Sequence, residues 1–182
     1  MAAGSTLDLL CGLAFAGKSR LAAALERELG ATVVSLDEIN ARRGLAGGRG
    51  IPAAEWLRTH EIAVAEVAAA CAGGGPVAVD DTNCFRFLRD AYRRTAAPFG
   101  YPSRVLWLDV GLEESLRRAT ENRRRGRRPD VRDDLLADLA ARFEPPGEDE
   151  HPILVPPTED LDGWVRETLA GRPRLAQRGG PV

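Results

Sequence analysis

The sequence predicts an α/β protein built on a mainly parallel sheet. Short Val- and Leu-rich segments alternate with helical patterns, the strands are separated by helices, and the first strand runs into a glycine-rich turn. Strands joined through helices call for right-handed crossovers and hence parallel pairing. Leu7 to Cys11 is an apolar strand, followed by a helix from Lys18 to Leu29 and a second strand from Thr32 to Leu36. Gly44 to Gly50 carries four glycines and reads as a loop. Pro52 opens a long helix in which Leu57, Val64, Val67 and Cys71 recur on one face, and Gly73 to Gly75 ends it. Pro76 to Asp80 is the third strand, Arg86 to Ala97 a helix, Arg104 to Val110 the fourth strand, and Leu112 to about Arg124 a helix. After an arginine-rich turn, Asp133 to Phe143 is helical, with Leu136, Leu139 and Phe143 on one side, until Pro145 and Pro146 break it. Ile153 to Val155 is a short fifth strand, and Leu161 to Leu169 the last helix. Residues 1–170 are expected to form one domain, with a lid at about 121–132, and 171–182 a disordered tail.

The chain has 182 residues, 44% apolar and 29% charged, the balance of a compact soluble domain. A chain this long can bury roughly 70% of its unfolded surface, so it needs no disulfide or structural metal to fold. A net charge of -2 and a pI near 5.8 argue against a globally basic nucleic-acid binder. No apolar run approaches the ~18 residues that span a bilayer, and no signal-peptide pattern is present. Cys11, Cys71 and Cys84 form no CxxC pair, and His60 and His151 are isolated, so a zinc site is not expected and a reducing cytoplasm fits best. Trp56, Trp107 and Trp164 read as packing residues. Of 25 basic residues, 24 are arginine, and Lys18 alone stands against that bias.

Lys18 falls inside Gly12 to Ser19, GLAFAGKS, a full G-x-x-x-x-G-K-[ST] between a strand and a helix. A polyphosphate needs several backbone N–H donors converging on it. Gly12 and Gly17 let the backbone wrap that closely, with Leu13, Ala14, Phe15 and Ala16 between them. The helix N-terminus adds its dipole, with Arg20 in the first turn. Lys18 supplies a compact charge for the β- and γ-phosphates, and Ser19 a hydroxyl oxygen for Mg²⁺.

Ligands of open α/β sheets sit beyond the carboxyl ends of the strands. Asp37 follows the second strand, where it is placed to take a proton from an acceptor hydroxyl, with Glu38 as its rival and a helix N-cap as its structural alternative. Asp80 and Asp81 follow the third strand, and one of them is expected to serve Mg²⁺ or the γ-phosphate region. Eight arginines lie between Arg117 and Arg132, opposed only by Glu121 and Asp130. A movable arginine from such a stretch can stabilise a phosphoryl transition state and exclude water. Arg125, before Gly126, is the first candidate, followed by Arg123 and Arg128.

GLAFAGKS, SLDEIN, VDDTN followed by Arg89, NRRRG and RFEPP together resemble the small P-loop kinases. That group includes the polynucleotide 5′-hydroxyl kinases, the zeta-toxin-type kinases and the chloramphenicol phosphotransferases, many of them grouped as AAA-family ATP-binding proteins. The resemblance implies an adenylate-kinase-like sheet of five parallel strands in the order 2-3-1-4-5, with ATP and Mg²⁺. It implies Asp37 as general base, Asp81, Thr82 and Asn83 at the phosphate and acceptor region, and Arg125 on the transferred phosphate. Asn40, Arg43 and Arg89 are further candidates for the acceptor side. The viral-type polynucleotide kinases carry an arginine where Asn40 stands, and an arginine precedes the lid asparagine where Glu121 precedes Asn122 here. With the acidic pI, these departures favour a small hydroxyl acceptor such as a nucleoside, sugar or antibiotic. A polynucleotide 5′-hydroxyl is the first alternative, and an ATP-binding switch protein without an acceptor the second.

Overall fold

The computed structural model describes residues 4–45, 51–126 and 130–170. Arg127, Arg128, most of the glycine loop and the expected tail lie outside the described residues. The strands are β1 (Leu7–Cys11), β2 (Thr32–Ser35), β3 (Val77–Asp80), β4 (Ser103–Trp107) and β5 (Pro152–Leu154). They form one sheet in the order β2-β3-β1-β4-β5 with every pairing parallel. The helices are α1 (Lys18–Leu29), α2 (Leu36–Arg42), α3 (Ala53–Gly73), α4 (Arg86–Ala96), α5 (Leu112–Arg125), α6 (Asp133–Ala141) and α7 (Leu161–Val165).

The two faces of β1 explain its nearly unbroken apolar run. Leu7, Leu9 and Cys11 point into a cluster with Ala63, Val67, Tyr92 and Ala96 from α3 and α4. Leu10 points into the opposite cluster, with Leu21 and Leu25 of α1 and Val165 of α7. A strand covered on both sides reads as continuous rather than alternating. Asp8 is the exception. It is fully buried, directly opposite Arg104 on β4, whose Nε lies 2.5 Å and Nη2 3.2 Å from its carboxylate.

Register brings the strand ends together. Leu10 pairs with Asp80, and Asp80 pairs with Ser35. Neighbouring strands lie about 4.8 Å apart. Gly12, Asp81 and Asp37, each one or two residues beyond these positions, therefore leave the same edge of the sheet side by side.

Several sequence expectations are corrected. The second strand stops at Ser35, and α2 begins at once. Ser35 caps α2, its Oγ accepting from the Glu38 N–H at 3.4 Å, so the cap is not Asp37. The buried stripe of α3 is Thr59, Ala63, Val67 and Cys71, whereas Leu57 is largely exposed. The fourth strand ends at Trp107 rather than Val110. The last helix continues as one π-helical turn, Arg166–Ala170. Trp107 and Trp164 pack against the two clusters, but Trp56 is exposed.

Candidate active site

The loop after β1 has the backbone that its glycines allow. Gly12 sits at φ 149, where an added Cβ would come within 2.6 Å of the Leu108 carbonyl oxygen. Gly17 sits at φ 109 and caps α1. The Gly12 N–H donates to the Thr82 carbonyl at 3.1 Å, tying the loop to the chain beyond β3. Lys18 is buried and curls back over the loop, its Nζ donating to the carbonyls of Gly12 at 3.0 Å and Leu13 at 2.7 Å. An ammonium held there stands at the centre of the turn formed by residues 12–17.

The carboxylates gather around it. Burial raises the Asp80 carboxyl above its ordinary value, while the Ser19 hydroxyl, which donates to it, and the Lys18 ammonium pull it back. The charges of Asp37 and Asp81 push it up again. Burial also raises Asp81, against the opposing pull of the Thr82 and Asn83 N–H groups and of Lys18, and Asp37 adds to the rise. Lys18, Ser19, Asp37, Asp80 and Asp81 thus sense one another electrostatically at the ends of β1, β2 and β3. Asp37 itself is exposed, on the first turn of α2.

The donor set fits Mg²⁺ in the manner of kinases, which hold the ion through one or two protein oxygens, substrate phosphates and water. The observation that fits is the Ser19 hydroxyl at the start of α1, close enough to the Asp80 carboxyl to pull it down, as Lys18 also does. Among the described residues there is no group of three or more His, Cys, Asp or Glu side chains able to hold a metal alone. The cysteines are buried, and burial pushes the Cys11 thiol up to about 12, which removes it as a nucleophile.

The other residues expected on the acceptor side lie in hydrogen-bond networks of their own. Asn83 is fully buried at φ 46, its amide donating to the Leu10 carbonyl at 2.8 Å. Arg89 is also fully buried. It holds Glu150 through two 2.8 Å bonds and donates to the carbonyls of Asn83 and Glu144. Both side chains are turned into the protein next to the end of β3, and the Asn83 N–H lies against Asp81. Asn40 and Arg43 come together with each other. Thr59 donates to Asn40 Oδ1 at 2.6 Å, and Arg43 donates to Thr59 at 2.5 Å and to the Glu55 carbonyl at 2.7 Å. This network pins α2, the carrier of Asp37, to α3.

The arginine stretch is only partly directed at the loop. Arg125 pairs with Glu121 at 2.5 Å and is half exposed. Arg123, expected on the nucleotide, instead bonds Asp130 at 2.8 Å and the Val131 carbonyl at 3.1 Å, and pairs with Asp133. Arg20 points to the Glu159 carbonyl, 3.3 Å away, beside a hollow of about 190 Å³ between α1 and α7. A larger hollow of about 530 Å³ runs along α5, lined by Arg117, Thr120, Glu121, Arg124 and Arg125. Sequence reasoning missed Arg118, whose Nη1 donates to the loop carbonyls of Phe15 at 3.1 Å and Ala16 at 3.3 Å. It also missed Thr59 and Glu150. A polar residue in the apolar stripe of α3 is a visible signal for Thr59, and no local pattern marks the other two.

The sheet order and the loop define a protein with the P-loop kinase fold. The chain belongs to the AAA domain family AAA_33, whose profile matches residues 7–146. No curated protein matches the sequence significantly. Among solved structures, it is similar to a gluconokinase from Sinorhizobium meliloti 1021, with 20% identity, a TM-score of 0.68, and 94% of this chain and 93% of that one covered. The Mycobacterium tuberculosis APS kinase CysC, in complex with AMPPNP and APS, shows 20% identity and a TM-score of 0.61 over 90% of this chain and 95% of that one. The Pnkp1/Rnl/Hen1 RNA repair complex shows 17% identity and a TM-score of 0.62, over 78% of this chain and 45% of that one.

Proposed function

We propose that this protein is an ATP- and Mg²⁺-dependent kinase that transfers the γ-phosphate to a hydroxyl of a small organic acceptor. One observation carries the reading: Lys18, Ser19, Asp80, Asp81 and Asp37 converge at three adjacent strand ends. Lys18 and the amides of residues 12–17 hold the β- and γ-phosphates. Ser19 with Asp80, and Asp81 beside them, would hold Mg²⁺, which would offset the charge of the phosphates. Asp37, exposed on α2, accepts the proton as the acceptor oxygen attacks the γ-phosphorus and the bond to the β-phosphate bridging oxygen breaks. Arg125 reaches the migrating group after exchanging Glu121 for it, and water is excluded as the lid closes. The kinases that share the fold, one for gluconate and one for APS, support a small acceptor.

The test is Asp37→Asn, assayed with labelled ATP over nucleosides, sugars, aminoglycosides and 5′-hydroxyl oligonucleotides. Acceptor phosphorylation is expected to fall about 10²–10⁴-fold with ATP affinity unchanged. ATP turnover that survives the substitution intact points instead to an acceptor-free switch protein. The eight arginines between Arg117 and Arg132 favour a polynucleotide 5′-hydroxyl as the second reading. Efficient labelling of oligonucleotides that falls steeply with salt selects it.

A further inference from the structure

The phosphate loop carries a residue that its own backbone does not favour. Phe15 lies at φ 64, in the left-handed region that glycine adopts freely and L-residues seldom do. A glycine there would satisfy the turn, but it would present no ring. Phe15 is 8% exposed and belongs to one apolar cluster with Ala119 of α5 and Leu136 of α6, bordered by Leu112, Leu116 and Val131. The backbone of the same residue is gripped from the same side by Arg118, whose Nη1 donates to the carbonyls of Phe15 and Ala16. Glu114 orients Arg118 through a 2.7 Å bond to its Nε and is itself held by Arg117.

The other end of this contact is slender. Leu136 is the buried residue of α6, and α6 packs chiefly on α5. Arg123 adds a polar strap from α5 to Asp130, Val131 and Asp133. In the chain α6 directly follows the arginine-rich stretch. The tip of the phosphate loop and the root of the lid therefore share one apolar joint, and the loop reaches it through a residue whose dihedral aims the ring.

We propose that Phe15 is a positioning residue that couples phosphate occupancy of the loop to the docking of α6. Phosphates that draw the loop amides inward set the backbone at Phe15, and the ring then holds Leu136 and the lid root in place. Coupling of this kind is reciprocal, so α6 docking must tighten nucleotide binding by the factor with which nucleotide stabilises α6. The inference rests on the reading of the loop as a nucleotide site.

The experiment is hydrogen exchange of the amides in 131–141 on the full chain, with and without AMPPNP and Mg²⁺, alongside AMPPNP affinity. In the unaltered protein AMPPNP is expected to slow exchange across α6. Phe15→Gly, which suits the backbone but removes the ring, should bind AMPPNP about fivefold more weakly and, at saturation, without that protection, and Phe15→Leu should restore most of both. Leu136→Ala, outside the loop, should weaken AMPPNP binding about fivefold or more. The coupling is overturned if AMPPNP binds while α6 exchange stays unchanged, if Phe15→Gly keeps full protection, or if Leu136→Ala leaves the affinity intact. Failure of the unaltered chain to bind AMPPNP sinks the nucleotide reading itself, and the coupling with it.

Discussion

Two groups of buried charge stand on either side of the end of β3, and burial acts on them with opposite results. In front, Asp80 and Asp81 are raised above their ordinary values, because Lys18 and a few donors do not outweigh desolvation and the charge of Asp37. Behind, Glu150 is fully buried, more so than either aspartate, yet it is held below the usual carboxylate range. Burial alone would raise it, and the Arg89 fork, the Gly147 N–H and Arg93 outweigh that. Pairing explains the difference. The rear pair is bidentate and complete, so it braces the fold. The front carboxylates crowd one another beside a single ammonium, which is the condition of a site built to receive a cation and a polyphosphate.

The contrast is open to direct attack. Glu150→Gln leaves Arg89 buried without a counter-charge and should cost about 3–5 kcal/mol in denaturant unfolding. A loss below about 1 kcal/mol would mean that the rear pair does not brace β3. Thr59→Val cuts the link between Asn40 and Arg43 and should cost about 1–3 kcal/mol. It should also lower acceptor phosphorylation more than ATP affinity, because α2 carries Asp37. Asp80→Asn removes a crowded charge and should stabilise the nucleotide-free protein by about 0.5–2 kcal/mol while lowering activity. A drop in melting temperature would contradict the crowding.

The pH profiles should diverge in sign. Asp80 is raised in the folded state, so its favourable contribution is fully present below about 4 and lost as pH rises through its elevated folded value. The advantage of Asp80→Asn should therefore vanish in acid and grow toward neutrality. Glu150 is lowered, so its contribution is present above about 4 and lost as pH falls through its depressed folded value. Unfolding curves between pH 3 and 7 on the two variants measure both slopes.

Much of the site was legible because it depends on local backbone chemistry. Gly12, Gly17, Lys18 and Ser19 are tied to each other within eight residues, and the strand before them and helix after them are periodic enough to read. The start of α2 was not read: Ser35 and Glu38 have the S-x-x-E spacing of a helix start, but the apolar run into Leu36 reads as strand. Arg89 was not legible. An arginine beside a candidate site looks the same in sequence whether it faces a ligand or Glu150, 61 residues away.

The sequence by itself determined the α/β class, the phosphate-cradling turn and the candidate acids at strand ends, because each depends on neighbours a few residues apart and on dihedrals that particular residue types permit. The tertiary structure alone decided which charges pair and which crowd. It turned Asn83 and Arg89 inward, bound Arg123 to Asp130, and set Phe15 against Leu136. Such choices depend on register and packing between segments far apart in the chain, and a residue's identity does not specify its distant partner.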